Sequence, residues 1–513
     1  MSQEATSDRV RNSRRNIVAG AVRSAVALLA SFATRTALIH TMGVEYVGLN
    51  GLFSSVLQVL NLAELGLGTA IIYALYRSVA TGDDNAVCAY LAYFRKAYRV
   101  IGLVVLACGL AVMPFLSLLV EGGRLPNDLS MYACWAIFLA DTTVGYFAYG
   151  YLACIPMAHN RGDILSKVDV VVVVLRLAAQ LAMLAAHTFY GFLLVLPVMT
   201  VVRNLIVAGR VRRLYPNYVC RGALDDGQRQ DLRKNLHGLF VSRLFATLRN
   251  GIDTMCLSAF LGLAIAGIYN NYLMVLSGLI SVTTMLLTAI IPGVGNSVVT
   301  EPVQKNYCDL RRFDFIYSSV AGWVATCLLC MWQPLMRLWV GDALMLGWPE
   351  VCGLVLYYYI LKSGDMWSVY GEALGLWWNM RYVSVAEAIA NVVLNVVLSR
   401  WLGVGGVVLA SLITLVTLSF VPCPCILWKS YFKGYKVRKF FCAHGLWLLT
   451  ALPGCALCFV LCAQLPDGLL GLVLRGAVCV AVYPLLWWLI WRRSERFSDA
   501  AAWVRDSGLL TVG

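Results

Sequence analysis

The chain has 513 residues, 60% of them hydrophobic and 13% charged, with a mean hydropathy of +0.74. Soluble proteins carry roughly 25% charged residues, so a soluble enzyme, or one held by a single anchor, is excluded and an all-α polytopic membrane protein is expected. The formal charge of +14 would point a soluble chain towards nucleic acid. Here it reads as orientation charge on cytoplasmic loops, and no nucleic-acid partner is expected.

A membrane-crossing helix needs about 20 apolar residues, and the chain offers about 14 such segments. They run over 17–42, 48–76, 98–120, 131–153, 167–187, 189–209, 236–261, 264–292, 314–334, 351–376, 382–401, 404–427, 441–463 and 469–491. The first is too long for a cleaved signal peptide and carries Arg23 and Arg35. With the N-terminus inside, roughly 30 of the 41 Lys and Arg fall on cytoplasmic segments and about three on outward loops. That bias predicts both termini in the cytoplasm. No loop reaches the roughly 50 residues of a catalytic domain. No phosphate-binding Gly-Lys-Ser/Thr loop is present, and the five His are dispersed without metal-ligand spacing, so no enzyme activity, cofactor or metal is expected. The 17 Cys are scattered through apolar runs and read as small core residues.

A shift of 219 residues lays 43–72 on 262–291, with ten of thirty positions identical. Gly43 and Gly48 fall on Gly262 and Gly267, and Thr69-Ala-Ile-Ile72 falls on Thr288-Ala-Ile-Ile291. Both partners in each pair of segments begin on the same side, which predicts a parallel repeat. The expected domains are an N-lobe of six helices at 1–209, a cytoplasmic linker at 210–235, a C-lobe of six helices at 236–427, two further helices at 428–491 and a cytoplasmic tail at 492–513.

An ionisable residue inside the bilayer costs about 2.5–3.5 kcal/mol and needs a cavity or a partner. Arg23 and Arg35 on the first segment are roughly 18 Å and about 120° apart, so they suit a broad cavity and not a clasped pair. Glu64 lies mid-segment in Asn61-Leu-Ala-Glu64-Leu-Gly66. Asp141 has Tyr146, Tyr149 and Tyr151 below it, and Arg176 and Arg203 lie on the fifth and sixth segments. The seventh carries Arg243, Arg249, Asn250 and Asp253, with Arg249 and Asp253 on one face. Tyr269-Asn270-Asn271-Tyr272 opens the eighth with groups suited to sugars or headgroups. Lys362 and Asp365 are spaced to neutralise each other, and Glu387, Asn391 and Asn395 recur on one face. In Pro422-Cys423-Pro424-Cys425 the prolines predict a kink.

Several of these segments together resemble the oligosaccharide/polysaccharide flippase family of the multidrug/oligosaccharidyl-lipid/polysaccharide exporter superfamily. The carrying residues are Gly43-Val-Glu-Tyr-Val-Gly48-Leu-Asn-Gly51, Leu62-Ala-Glu64-Leu-Gly66-Leu-Gly68-Thr-Ala70, Arg249-Asn-Gly-Ile-Asp253, Gly267-Ile-Tyr269-Asn-Asn271-Tyr272 and Gly295-Asn296-Ser297. The resemblance covers about half the chain and fades beyond 350. It implies two six-helix lobes around a cavity open alternately to each side, and movement of polyprenyl-diphosphate-linked oligosaccharide between leaflets. On that reading Arg23, Arg35, Arg243 and Arg249 bind the diphosphate and Tyr269, Asn270, Asn271 and Tyr272 contact the sugars. Glu64, Asp141 and Asp253 couple a proton or sodium ion or act as gates. Polysaccharide-assembly enzymes would be its partners beside membrane lipids. Three other readings stand beside it: a lipid II flippase, suggested by the two extra C-terminal segments, a multidrug/cation antiporter, which would favour an acidic cavity, and a membrane glycan polymerase, which would need a large outward loop.

Overall fold

The computed structural model describes residues 3–64, 67–120, 129–230, 232 and 251–506. All regular structure within them is helical. Nine helical stretches among the described residues are long and apolar enough to cross a membrane, with shorter apolar helices beside them. The chain divides into two compact units, residues 1–270 and 271–513.

Unit 1 opens with α1 (Gln3–Thr41), α2 (Val44–Leu60) and α3 (Leu67–Thr81). The second expected segment is therefore not one helix: a 3-10 turn over Asn61–Glu64 interrupts it. Then follow α4 (Asp84–Val112), α5 (Met131–Phe147), the short α6 (Cys154–Ala158), α7 (Gly162–Ala185), α8 (Phe189–Leu214), α9 (Gly251–Leu261) and the start of α10 (Leu263–Thr300). Local chemistry sets the ends. The Asp83 carboxylate caps α4 by accepting from the Ala86 N–H at 2.9 Å. Gly43 and Gly262 turn the chain ahead of α2 and α10 with φ of 111° and 90°, a backbone region that favours glycine.

Between helices in lipid, close packing replaces the hydrophobic effect as the main attraction. A side chain on Gly48 would strike the Leu263 carbonyl, and one on Gly267 would strike the Val44 carbonyl. Under the 219-residue shift Gly48 corresponds to Gly267 and Val44 to Leu263, so the contact is reciprocal. Gly51 lies against the side chain of Asn270, its own counterpart. Elsewhere Gly109 receives Leu139, and its carbonyl accepts the Trp135 indole N–H at 2.9 Å. Large apolar side chains such as Leu29, Leu118 and Val473 stay exposed, as a lipid-facing surface requires.

Unit 2 contains α11 (Val303–Val340), α12 (Trp348–Ser363), α13 (Asp365–Ala373), α14 (Trp377–Thr414), α15 (Pro422–Ser430), α16 (Val437–Ala463), α17 (Leu469–Trp491) and α18 (Glu495–Asp506). The expected pair 382–401 and 404–427 forms α14 and α15, bent at Gly403 (φ 58°) and passing through a π turn over Leu415–Phe420 before Pro422. Among the described residues Lys362 and Asp365 pair at 2.8 Å, and Asn391 accepts from Asn395 at 3.1 Å.

Candidate functional site

A polar cavity of about 460 Å³ opens within unit 1. Its wall includes Asn16 and Arg23 of α1, Tyr76 of α3, Tyr98 of α4, Ser166 and Asp169 of α7, and Arg203 of α8. Two guanidinium groups share one carboxylate there. Arg203 Nε donates to Asp169 Oδ1 at 2.7 Å, and Arg23 Nη1 lies 3.5 Å from Asp169 Oδ2. The side chains of Arg23, Arg203 and Asp169 retain 49%, 33% and 15% of their exposure, so the cluster remains accessible from the cavity. One carboxylate balances only one of the two cations, and the wall carries one surplus positive charge. A planar guanidinium presents paired donors that match phosphate or carboxylate oxygens.

One end of the cavity is tied together by Asn16. Its amide donates to the Asn160 carbonyl and to Asn160 Oδ1 at 3.0 and 3.1 Å, and its Oδ1 accepts from the Asp163 N–H at 2.8 Å. Asp163 is buried and takes hydrogen bonds from Arg161 at 2.9 Å and Lys167 at 3.0 Å. The bond to Asp163 holds the Arg161 guanidinium above its ordinary pKa. Beside this cavity an apolar groove of about 720 Å³ runs between α1 and α7, lined by Val18, Val22, Val170 and Val171 with Arg15 and Lys167 among its residues. Ser166 borders both spaces.

Glu64 sits on the 3-10 turn that interrupts the second segment. Its two oxygens accept from the Tyr98 and Tyr146 hydroxyls at 2.6 and 2.7 Å. Tyr98 also lines the cavity, so one side chain connects Glu64 to the arginine cluster's space. Sequence reasoning named Arg23 and Glu64 as separate site residues and noted Arg203 only as a charge on the sixth segment. It missed Asp169, whose signal was a carboxylate two residues inside the expected fifth segment.

The other expected site residues that the structure describes do not line this cavity. Arg35 donates to the Asn270 carbonyl at 2.6 Å. Asp141 accepts from Thr200 at 2.6 Å across α5 and α8. Asp253 accepts from the Tyr269 hydroxyl at 3.3 Å, and Thr254 donates to Asn270 Oδ1 at 3.2 Å. Tyr269 and Asn271 are buried, and the Tyr272 hydroxyl donates to Gln333 at 2.6 Å while accepting the Leu346 N–H at 3.1 Å. Arg243 and Arg249 lie outside the described residues.

No family model matches the sequence, and no curated protein matches it. Solved structures do match the fold. The lipid II flippase MurJ in its inward closed conformation superposes with a TM-score of 0.67 at 10% identity, over 93% of this chain and 98% of that one. An inward-facing multidrug resistance MATE family transporter of the MOP superfamily gives 0.58 at 12% identity, over 82% and 100%. The MATE transporter VcmN of Vibrio cholerae gives 0.55 at 16% identity, over 84% and 98%. The chain therefore has the fold of MOP-superfamily transporters, and these structural neighbours are transporters, not enzymes.

Proposed function

We propose that the chain is an alternating-access transporter that carries a polyprenyl-diphosphate-linked oligosaccharide from the inner to the outer leaflet for cell-surface polysaccharide assembly, coupled to an ion gradient. In this reading residues 1–209 and 236–427 are two six-helix lobes, 210–235 links them in the cytoplasm, 428–491 adds two helices, and both termini lie inside a bacterial cytoplasmic membrane. The lysine and arginine bias and the reciprocal Gly48–Gly267 contact support that arrangement.

The observation that carries the reading is the shared Asp169 carboxylate between Arg23 and Arg203 on a cavity wall. An entering diphosphate competes with Asp169 for the same donors. It brings more negative charge than the carboxylate it replaces and satisfies the surplus guanidinium. Asp169, once released, has lost its two guanidinium partners, and a coupling cation can take their place. Glu64, held by two phenol hydroxyls, is the second carboxylate that a proton or cation would reach from this space. The apolar groove beside Ser166 suits a prenyl chain, with Arg15 and Lys167 near its head. Asn16, Tyr76 and Tyr98 are the groups that the first sugars would meet.

Arg35, Arg243 and Arg249 are proposed as diphosphate contacts later in the cycle, and Asp141 and Asp253 as gating carboxylates. Contact of Tyr269, Asn270, Asn271 and Tyr272 with sugar requires this part of α10 to leave its present packing.

A lipid II flippase is the second reading. It is favoured by the extent of the match to that flippase, 93% of this chain against 82% and 84% for the two MATE transporters.

The test is transport in proteoliposomes with fluorescent undecaprenyl-diphosphate-oligosaccharide or fluorescent lipid II and a membrane-impermeant quencher. Movement of the oligosaccharide lipid that Arg23→Ala and Arg203→Ala abolish in folded protein is the expected result. Movement of lipid II alone selects the second reading. Drug or cation efflux with no movement of either lipid overturns both.

A further inference from the structure

Helices α11, α16 and α17 of unit 2 bring thiols together at one point. The Sγ atoms of Cys330, Cys462 and Cys479 are buried and lie within 4.8 Å of one another. Cys458 belongs to the same buried cluster, and Cys327 packs against it. Helix geometry explains the grouping: Cys327 and Cys330 are i, i+3 on α11, and Cys458 and Cys462 are i, i+4 on α16, so each pair shares a face. Cys479 meets both pairs from α17. The surroundings are apolar and aromatic, with Phe315, Trp447 and Trp487 in the same cluster.

A cation stands beside the thiols. Arg475, one turn before Cys479, is buried; Nε donates to the Cys462 carbonyl at 3.2 Å and Nη2 to the Leu465 carbonyl at 2.9 Å and Asp467 at 3.3 Å. Its Nη1 has no hydrogen-bond partner. Filling space accounts for any one of these cysteines, since a thiol behaves as a small apolar group. It gives no reason for five to converge from three helices beside a buried guanidinium with a spare donor.

Metal–sulfur bonds of about 2.3 Å place the sulfurs of a trigonal or tetrahedral site roughly 3.8–4.0 Å apart. That spacing fits within the observed 4.8 Å. A disulfide would use two of the three sulfurs and leave the third outside. We propose that Cys330, Cys462 and Cys479 bind one thiophilic monovalent d10 cation, with Cu(I) as the fitting ion. The donor set is wholly soft sulfur, with no imidazole or carboxylate of the kind that suits harder metals. Binding replaces three S–H protons by one Cu(I), releases three protons and leaves a centre of charge −2, which the Arg475 guanidinium partly offsets. No electron moves; copper arrives already reduced. The site clamps three helices and is independent of the transported substrate.

The test uses the full chain in detergent, reduced and free of oxygen. Cu(I) is titrated against a chromophoric Cu(I) chelator, with Zn(II) in parallel, and the loaded protein is studied by X-ray absorption. One Cu(I) per chain with a sulfur-only shell at about 2.3 Å is expected. Cys479→Ser should weaken it at least about 100-fold, whereas Cys108→Ser, at an exposed cysteine of unit 1, should leave it unchanged. Should Cys479→Ser not fold, Cys330→Ser and Cys462→Ser carry the same prediction. Three results overturn the proposal: no stoichiometric copper, copper retained by the folded triple variant, or Zn(II) bound in preference to Cu(I). Fewer than the 17 free thiols in the unreduced, denatured protein would also overturn it, by revealing a disulfide.

Discussion

The charged cluster of unit 1 and that of unit 2 solve the same problem differently. In unit 1, Arg23 and Arg203 share Asp169 on a cavity wall and remain 49% and 33% exposed. In unit 2, Lys362 is 3% exposed and paired: its ammonium donates to Asp365 at 2.8 Å and to Thr284 at 2.9 Å, and Tyr317 donates to the same carboxylate at 2.8 Å. Asp314 and His444, also buried, pair at 3.3 Å. Charge in a membrane protein therefore does not by itself mark a ligand site. On the proposed function, unequal numbers of cations and anions beside open space do.

Breaking the sealed cluster should have the largest effect. Asp365→Leu strands the Lys362 ammonium with one hydroxyl and should cost about 3–5 kcal/mol. The expected readout is a large fall in thermal midpoint in detergent, mostly restored by the Lys362→Met/Asp365→Leu double variant. A single variant as stable as wild type would show that water already reaches the pair. Next in size are Gly48→Val and Gly267→Val, each expected to cost about 1–3 kcal/mol by overpacking. Because each new side chain meets the other segment's carbonyl, the two losses should match within about 0.5 kcal/mol. A clear inequality in unfolding experiments would mean the contact is not reciprocal.

Tyr98→Phe removes one of the two hydroxyls on Glu64 and should cost about 1 kcal/mol. It should also lower gradient-coupled flux across proteoliposomes; unaltered coupled flux would detach Glu64 from coupling. The smallest stability effect belongs to Arg203→Ala, under about 1 kcal/mol because the pair is partly hydrated. Its transport should nevertheless fall at least roughly tenfold, with Arg203→Lys an incomplete replacement since an ammonium lacks the planar fork. A stability loss as large as that of Asp365→Leu would make unit 1's cluster structural and erase the contrast.

The helical class and many segment positions were legible because a bilayer demands long apolar runs; α16, α17 and the 18–41 stretch of α1 follow those runs closely, although α1 itself begins at Gln3. The interruption at Asn61–Glu64 was not, since a 3-10 turn leaves hydropathy unchanged. Pairing of Lys362 with Asp365 followed from local spacing. Asp169 meeting Arg23 and Arg203 joins three helices through residues at least 34 positions apart in sequence. The thiol cluster was hidden for the same reason: only its i, i+3 and i, i+4 pairs have any local signature.

The contact of Gly51 with Asn270 has a meaning for how such a chain could arise. If two identical half-chains met about this point, the same residue would face its own copy. Two asparagines would compete for one volume, and two glycines would leave a gap. Covalent fusion of the halves removes that constraint, because each side can then mutate alone. A hydrogen on one side and an amide on the other is a division of labour open only to the fused chain. The Asn270 carbonyl, which takes the Arg35 guanidinium, belongs to the segment that carries the larger residue. In a single chain, then, matched segments need to agree only where both must fit, and Gly51 opposite Asn270 is a place where they need not.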